Sequence, residues 1–368
     1  MEPTQTLAQL RRAIARELEF PFFKRYKEGF LDADSGGTDN LIDSVLAQKD
    51  RFWNGAWVYR VASQEVSLIT NFTASDNKLV LEVPVTTFAA GDDYEIHNLW
   101  NAYDIHEAIN SVIRESRRVF FETVTDETII IEEDKLAYSV SSLAKTPHMI
   151  QKVWLEQPTS IKRGVLVSAT STTFVVESAS ILSDVDPNWK VSIYAGTGKG
   201  QIRSVASVAS ATGTVTAWTT TPDNTSKYAL WNPTQQVNDW YPWNALRYDS
   251  TKEFPDILYF SRRPVDFQGL RIRLEYLALP AELSAEADTT VVPISYVVPS
   301  AISKLHSRKV RDNKTDRELH FAESKRHQEM ADAWLVRNAP HRPDSNILSQ
   351  HSGAYQPDST DPLNWTGI

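Results

Sequence analysis

Apolar residues recur at helical spacing in three regions of the chain. In the first, residues 4–19, four apolar residues alternate with charged ones: Leu7, Leu10, Ile14 and Leu18, with Arg11, Arg12, Arg16 and Glu17 between them. Residues three and four apart lie on one face of an α-helix. The pattern therefore predicts an amphipathic helix, and the polar segment DADSGGTDN at residues 32–40 interrupts the chain after it.

A second helix is predicted to begin at Asp104, because Asp104 and Glu107 have the spacing of a capping box. Its apolar stripe consists of Ile105, Ile109, Val112, Ile113, Ser116 and Phe120. A third helical region is predicted over about residues 294–337. The segment RDNKTDRE interrupts it, and the capping-box spacing of Thr315 and Glu318 predicts that a new helix starts there.

Between the helical regions the apolar period changes to two. In LRIRLEYLA, apolar and charged residues alternate: Leu270, Ile272, Leu274 and Tyr276 against Arg271, Arg273 and Glu275. This alternation is typical of a half-buried strand. The segments ETIIIEE, IQKVWLE and DILYFSRR are also predicted to be strands.

Two stretches of the chain look like copies of one small antiparallel β-module. When Val58 is placed over Val191, Leu41 and Ile42 fall on Phe174 and Val175, and WVYRVASQEVSLITNF overlays KVSIYAGTGKGQIRSVAS. The closing tyrosines Tyr94 and Tyr228 differ from that offset by one residue. The repeat predicts equivalent modules over residues of about 37–98 and 160–231.

A glycine cluster in the second copy has the composition of a phosphate-binding loop. Gly196, Gly198 and Gly200 enclose Lys199, but Gly200 and Gln201 follow that lysine where a nucleotide loop needs Ser or Thr. The surrounding segments are strands, and no helix is predicted after the cluster. We therefore interpret GTGKG as a hairpin turn in which glycine supplies positive φ angles.

Composition excludes several classes of protein. Hydrophobic residues make up 41 % and charged residues 23 % of the 368, which is typical of a globular chain. Cysteine is absent, which excludes disulfides and thiolate chemistry and is compatible with folding in a reducing cytosol. Neither a membrane span nor a secretory signal is expected. The net charge of −9 disfavours tight nonspecific binding to nucleic acid.

Catalytic and metal-binding motifs are not apparent. His320 and His327 could share a helical face, but neither an HExxH pattern nor carboxylates at metal spacing accompany them, so a solvated face is the expectation. The carboxylates of IEEDK have no feature that marks an acid–base pair. The sequence therefore predicts no catalytic, cofactor-binding or metal-binding residue and no cofactor, and we expect the protein not to be an enzyme.

Basic residues concentrate in the first part of the third helical region. Lys304, Arg308, Lys309 and Arg311 could form a charged face towards an acidic partner or towards a channel. A solvated helix of mixed charge is the equally weighted alternative. The eleven tryptophans likewise fit either a buried core or assembly surfaces.

The elements together predict an α+β architecture. A discontinuous helical core with additional strands, formed by residues 1–36, 99–159 and 232–338, carries two inserted antiparallel β-barrel or β-sandwich modules, 37–98 and 160–231. Residues 339–368 are predicted to be an extended tail, because four prolines and many polar residues disfavour a packed helix. Its apolar tip, Leu363, Trp365 and Ile368, is predicted to dock on a partner or to fold back on its own chain.

This order of elements resembles the head-to-tail adaptor proteins of tailed bacteriophages. The likeness rests on the short N-terminal helix, on YDIHEAINSVIRESRRVFF, and on LRIRLEYLALPAEL followed by VPISYVVPSAISKLHSRKV. The resemblance implies a structural protein of the virion neck, assembled in the host cytoplasm. It implies a homo-oligomeric ring, usually twelvefold, that binds the portal protein and tail or nozzle proteins.

Such a ring surrounds a channel through which DNA passes without sequence-specific binding. An acidic chain suits that channel, because like charge limits adhesion of the duplex. The alternative interpretation is a receptor- or carbohydrate-binding component of a tail fibre or baseplate, for which tryptophan-rich β-modules would also serve. The two differ in a visible property, since sugar binders expose aromatic platforms whereas ring adaptors bury their aromatic residues.

Overall fold

The computed structural model describes residues 3–19, 27–235, 240–243, 245–247, 257–260, 262–312 and 316–338. These residues form a mixed α+β structure. Its four helices are α1 Leu7–Glu19, α2 Ala102–Ser116, α3 Ile294–Asp312 and α4 Arg317–Asn338. None of these helices combines the length and the apolar character that crossing a membrane requires.

The described residues divide into two compact units. The first contains those of Met1–Phe121 and Pro280–His341, and the second contains those of Glu122–Leu279. The division runs through two of the three segments that were predicted to form one discontinuous core, 99–159 and 232–338, whereas 1–36 lies wholly in the first unit. Each unit combines one large sheet with a further layer of structure.

Three helices of the first unit bury the stripes that the sequence predicted. Leu7, Leu10 and Ile14 of α1 are completely buried and pack with apolar residues of α2 and α3 in one cluster. The predicted cap of α2 is wrong by three residues. The helix begins at Ala102, and the Asn101 side chain caps it by accepting a hydrogen bond from the Asp104 backbone amide at 2.8 Å.

The strands of the first unit precede α2, except for one that follows the second unit. They are β1 Gln5–Thr6, β2 Lys27–Asp32, β3 Ser35–Gly36, β4 Asn40–Ile42, β5 Trp57–Arg60, β6 Glu65–Thr73, β7 Lys78–Leu81 and β8 Asp93–His97. Seven of them form one antiparallel sheet in the order β2-β8-β5-β6-β7-β4-β3. The sheet includes β2 and β3, which precede residue 37, the predicted start of the first module.

The second unit contains fourteen described strands. They are β9 Glu122–Ile130, β10 Ala137–Ser139, β11 Pro147–Leu155, β12 Ile161–Val165, β13 Ser168–Ala169, β14 Thr173–Val175, β15 Lys190–Ala195, β16 Gln201–Ala209, β17 Thr212–Val215, β18 Lys227–Trp231, β19 Tyr241–Trp243, β20 Ala245–Arg247, β21 Ile257–Phe260 and β22 Arg271–Ala278. Returning to the first unit, β23 Thr289–Thr290 pairs with β1.

Three sheets make up the second unit. A seven-stranded antiparallel sheet has the order β12-β18-β15-β16-β17-β14-β13, and smaller sheets have the orders β19-β11-β22-β9 and β10-β21-β20. The alternation predicted around β22 is confirmed, since Ile272, Leu274 and Tyr276 are completely buried. They belong to the apolar cluster that the two smaller sheets share.

The two seven-stranded sheets have the same strand order. In both, the long central strand pairs one neighbour with its first half and the other with its second half, and a bulge interrupts the second pairing. The bulges follow Ile69 in β6 and Val205 in β16. A bulge bends a strand and increases its twist, which fits the curled, half-barrel form of the sheet.

The pairing registers of the strands show which residues of the two sheets are equivalent. Val58 and Val191, which the sequence alignment superposed, are both buried and occupy corresponding positions between two neighbouring strands. Tyr94 lies opposite the residue two beyond Val58, and Tyr228 lies opposite the residue two beyond Val191. Both tyrosines are buried, as expected of equivalent positions in a repeat.

The glycine cluster is the turn between β15 and β16, as interpreted from the sequence. Gly196, Gly198 and Gly200 have φ angles of 78°, 78° and 85°, which L-residues with side chains rarely adopt. The Gly200 amide donates to the Ile193 carbonyl at 2.8 Å. The cluster therefore closes a hairpin with its own backbone groups.

Candidate functional site

A buried cluster of charged side chains joins α1 to the large sheet of the first unit. Arg11 of α1 is completely buried, and its guanidinium binds two carboxylates that are remote in sequence. Its Nη2 lies 2.8 Å from Oε1 of Glu95 in β8, and its Nη1 lies 2.6 Å from Oε1 of Glu286, in the segment before β23. One arginine thus connects a helix, a strand and a loop.

Glu95 accepts hydrogen bonds at both of its carboxylate oxygens. Arg11 donates Nε to Oε2 and Nη2 to Oε1, each at 2.8 Å, and Arg12 donates Nε to Oε1 at 2.9 Å. His97 Nε2 lies 3.0 Å from Oε2. Because Glu95 is itself completely buried, these donors replace the water that a carboxylate otherwise needs.

Two further side chains complete the cluster. The Tyr59 hydroxyl of β5 donates to Glu286 Oε1, and the Tyr59 ring lies 4.4 Å from the centre of the Arg11 guanidinium. His106 of α2 places Nε2 at 2.9 Å from Arg11 Nη1. Since arginine can only donate, that His106 nitrogen is the acceptor, and the ring is neutral.

The pKa shifts in the cluster agree with this arrangement. Burial alone would raise the pKa of Glu95, but the hydrogen bonds from Arg11 and His97 outweigh it and hold that pKa well below its usual range. Burial, followed by the nearby charge of Arg11, lowers the pKa of His106 to about 4. Burial is also the largest cause of the raised pKa of Tyr59.

The cluster attaches elements of the first unit to one another. Glu95 is ionised and accepts several hydrogen bonds, the imidazole of His106 is neutral, and the central arginine is inaccessible to solvent. These groups fix α1, α2 and the sheet relative to one another within the first unit. A buried ionic network of this kind costs desolvation energy but specifies one arrangement of its elements.

Sequence reasoning placed Arg11 between the apolar positions and missed its role. The available signal was its spacing, because Arg11 follows Leu7 by four residues and precedes Ile14 by three. It therefore lies on the same helical face as the apolar stripe. A charged residue in such a stripe needs a buried partner, but the sequence gives no indication of which one.

The second unit uses the corresponding sheet positions in a different way. In β5 and β8, Tyr59 lies opposite Glu95, and in β15 and β18 the corresponding opposed pair is Ser192 and Ala229. The Ser192 hydroxyl donates to the Gly269 carbonyl. A Cβ atom added at Gly269 would lie 2.3 Å from the Ala229 Cβ, so this contact requires glycine.

The predicted basic face of α3 packs partly against α2. Lys304 Nζ lies 2.5 Å from Oε1 of Glu115, and Arg308 Nη1 lies 3.8 Å from Oδ1 of Asp104. Lys309 is half-buried, whereas the Arg311 side chain and the predicted tail-tip residues Leu363, Trp365 and Ile368 lie outside the described part of the molecule. Lys304 and Arg308 therefore help to hold two helices together. Whether they also face a partner or a channel stays a prediction.

The expected solvated face of α4 is wrong for its two histidines. His320 is 7 % and His327 is 6 % exposed, because both lie against α3. Among the residues that the structure describes, no group of three His, Asp or Glu side chains is arranged to hold a metal ion.

Helix α4 instead exposes apolar side chains. Four are strongly exposed along its length: Leu319, Phe321, Met330 and Val336. Beside it, a groove of about 580 Å³ between α1, α3 and α4 is lined by Val298, Pro299, Met330 and Trp334, among others. The sequence did not indicate this surface, because the apolar residues of α4 do not form a single stripe.

Comparison with models of known protein families finds no match, and comparison with curated protein sequences finds none either.

Proposed function

We propose that this protein is a structural virion component, a head-to-tail adaptor whose copies form a neck ring. The ring, twelvefold in the proteins that the sequence resembles, joins the portal to the tail or nozzle and surrounds the DNA channel. The protein assembles in the host cytoplasm and acts mechanically, without catalysis or a cofactor.

We also assign the helices and the two large sheets to parts of such an adaptor. The helices α1, α2, α3 and α4 belong to the adaptor core, and the two seven-stranded sheets are inserted modules that vary one ancestral unit. Their common strand order and matching bulges support a duplicated module. The buried Arg11 cluster supports a rigid core, since it fixes one module to the helices that would carry the ring contacts.

The apolar surface of α4 carries the proposal. Val336 is 86 % and Phe321 is 62 % exposed, on a helix that also borders an apolar groove. Exposed apolar residues grouped on one element mark surfaces that bind other proteins. Head-to-tail contacts between identical copies close into a ring when each copy presents two different complementary surfaces.

The burial of tryptophan disfavours the alternative of a sugar-binding module. Among the residues that the structure describes, no tryptophan is exposed, and Trp53, Trp189, Trp218 and Trp231 of the two large sheets are buried. A carbohydrate platform needs an accessible aromatic face. These four tryptophans instead lie in the interior of the two sheets.

Native mass measurement of the purified full chain, alone and with a portal protein, tests the proposal. We expect ring formation or binding to the portal, and we expect Val336→Ser to weaken that association. The matched control is Val265→Ser, since Val265 is a similarly exposed valine in the second unit, at 58 %. A chain that forms no ring and binds neither portal nor tail proteins would contradict the proposal.

A further inference from the structure

Helices α3 and α4 meet through a row of polar side chains. His306 of α3 lies against His320 and His327 of α4, and these three residues are called the histidine seam. Next to the seam, the Ser324 hydroxyl lies 2.7 Å from that of Ser307 and donates to the Ser303 carbonyl at 3.0 Å. Helix pairs usually meet through apolar residues, so this contact depends unusually on hydrogen bonds.

The three rings of the seam are close together. Nδ1 of His306 lies 2.8 Å from Nδ1 of His320, and the ring of His327 is parallel to that of His306, within 10°, at a centroid distance of 6.4 Å. Trp100 packs edge-on against both His306 and His320. This indole covers the pair with an apolar surface.

The contact between His306 and His320 admits only one hydrogen between the two Nδ1 atoms. One ring donates N–H and the other accepts with its lone pair, so the pair is compatible with two neutral rings or with one charged ring. If both rings were charged, two N–H groups would oppose each other at 2.8 Å. Like charges at this distance in a buried site repel strongly.

The surrounding charges do not remove this constraint. Arg326 of α4 places Nη2 at 3.1 Å from His327 Nε2, and Glu323 partly offsets it at 3.7 Å. Burial lowers the pKa of His320, Asp316 before α4 partly opposes this shift, and Lys309 of α3 adds to it. Burial, followed by the charges of the other two histidines, lowers the pKa of His306 to about 4.

The far end of α4 is held by a different contact. Trp334 lies 6.1 Å from the ring of Phe120 and 6.2 Å from that of Tyr296. These aromatic contacts do not depend on pH between 4 and 7.5, because the indole, the phenyl ring and the phenol keep their protonation state there. The two ends of α4 are therefore attached by different chemistry.

We propose that the histidine seam is an acid-sensitive latch, in which protonation of the seam releases the first half of α4 from α3 while Trp334 keeps the second half in place. Between the ordinary histidine pKa of about 6.5 and the value of about 4 for His306, the released form binds more protons than the closed form. The closed form is therefore favoured above this interval, and it is lost as the pH falls through it.

Hydrogen–deuterium exchange of the full chain between pH 4.5 and 7.5, corrected for the intrinsic exchange rate, tests the latch. Below pH 6.5, we expect amides in residues 320–328 to open about tenfold more per pH unit for each proton taken up. Amides in residues 331–338 should change little. His306→Asn should weaken the pH response, because the asparagine amide can replace Nδ1 but cannot become charged, and only His320 and His327 remain to take up protons.

His148→Asn is the matched control, because it removes a histidine of the second unit and should leave the response of α4 intact. If His306→Asn frees α4 already at neutral pH, His320→Asn provides the same test from the other side of the contact. The latch is refuted if both asparagine variants keep the wild-type pH response, or if the wild-type chain shows none. An imidazole pKa of 6.5 or higher for His306 in an NMR titration would also overturn it.

Discussion

Replacing Arg11 by methionine tests the buried cluster of the first unit most directly. Methionine keeps an unbranched apolar side chain within the stripe of α1 but removes the cation. Glu95, whose side chain is completely buried, then loses two of its hydrogen bonds, and Glu286 loses its closest cation. The perturbation therefore leaves a buried carboxylate with incomplete compensation.

Removing one partner of a buried ion pair costs about 3–5 kcal/mol, because the other charge stays desolvated. This corresponds to about 10²- to 10⁴-fold faster exchange of the amides in α1 and β8 at pH 7, where local opening limits exchange. The loss should depend on pH. In the wild-type chain the lowered pKa of Glu95 means that its stabilising contribution is complete above pH 4.5, its ordinary pKa, and is lost progressively as the pH falls below that value.

In the Arg11→Met variant the balance reverses, because burial then dominates and raises the pKa of Glu95. Protonation relieves the buried charge, so the difference between variant and wild type should shrink between pH 7 and pH 5. Arg12→Met is the matched control. Arg12 makes one of the bonds to the same carboxylate from a partly exposed position, so its loss should cost about 1 kcal/mol.

The double variant Arg11→Met/Glu95→Leu completes a mutant cycle. It should recover most of the loss, because apolar residues that replace both partners need no solvation. Equal exchange rates in wild type and Arg11→Met at pH 7 would refute the reasoning. A double variant less stable than the sum of the two single changes would refute it as well.

Two further predictions concern the second large sheet and the tail. Gly213→Ala should destabilise the second unit by about 1–3 kcal/mol in urea unfolding, because its Cβ would lie 2.2 Å from the Phe174 ring. The double variant Phe174→Leu/Gly213→Leu should recover stability. If Gly213→Ala causes no loss of stability, this packing is contradicted. Truncation after Arg337 should leave the thermal midpoint nearly unchanged and weaken portal or ring association, whereas undiminished association would show that the tail is not a docking segment.

Features that depend on local periodicity could be predicted from the sequence. The stripe of α1 and the alternation of β22 need only neighbouring residues, and both are as expected. The repeat was visible because equivalent strands kept their apolar positions even where the residues changed. In the first sheet Leu41 lies opposite Leu79, and in the second Phe174 lies opposite Gly213, so one large and one small residue replace two of medium size.

Features that depend on remote partners could not be predicted. Arg11 and Glu286 are separated by 275 positions, and periodicity within α1 contains no information about that partner. His320 and His327 were placed wrongly for a related reason. The apolar residues of α4 are distributed around all sides of the helix, so they do not indicate which face is buried. That face is defined by its contact with His306 on another helix.

The different attachment of the two similar sheets has a consequence for folding. A chain with two copies of one topology can mispair them, because each copy offers the same edges and the same strand order. Here an exchange of the two sheets would bring Glu95 to a site that contains Gly269 in place of a guanidinium, and would leave Arg11 facing Ser192 and Ala229. The buried charge thus favours correct pairing of the two sheets, because a mispaired assembly would leave that charge without a partner.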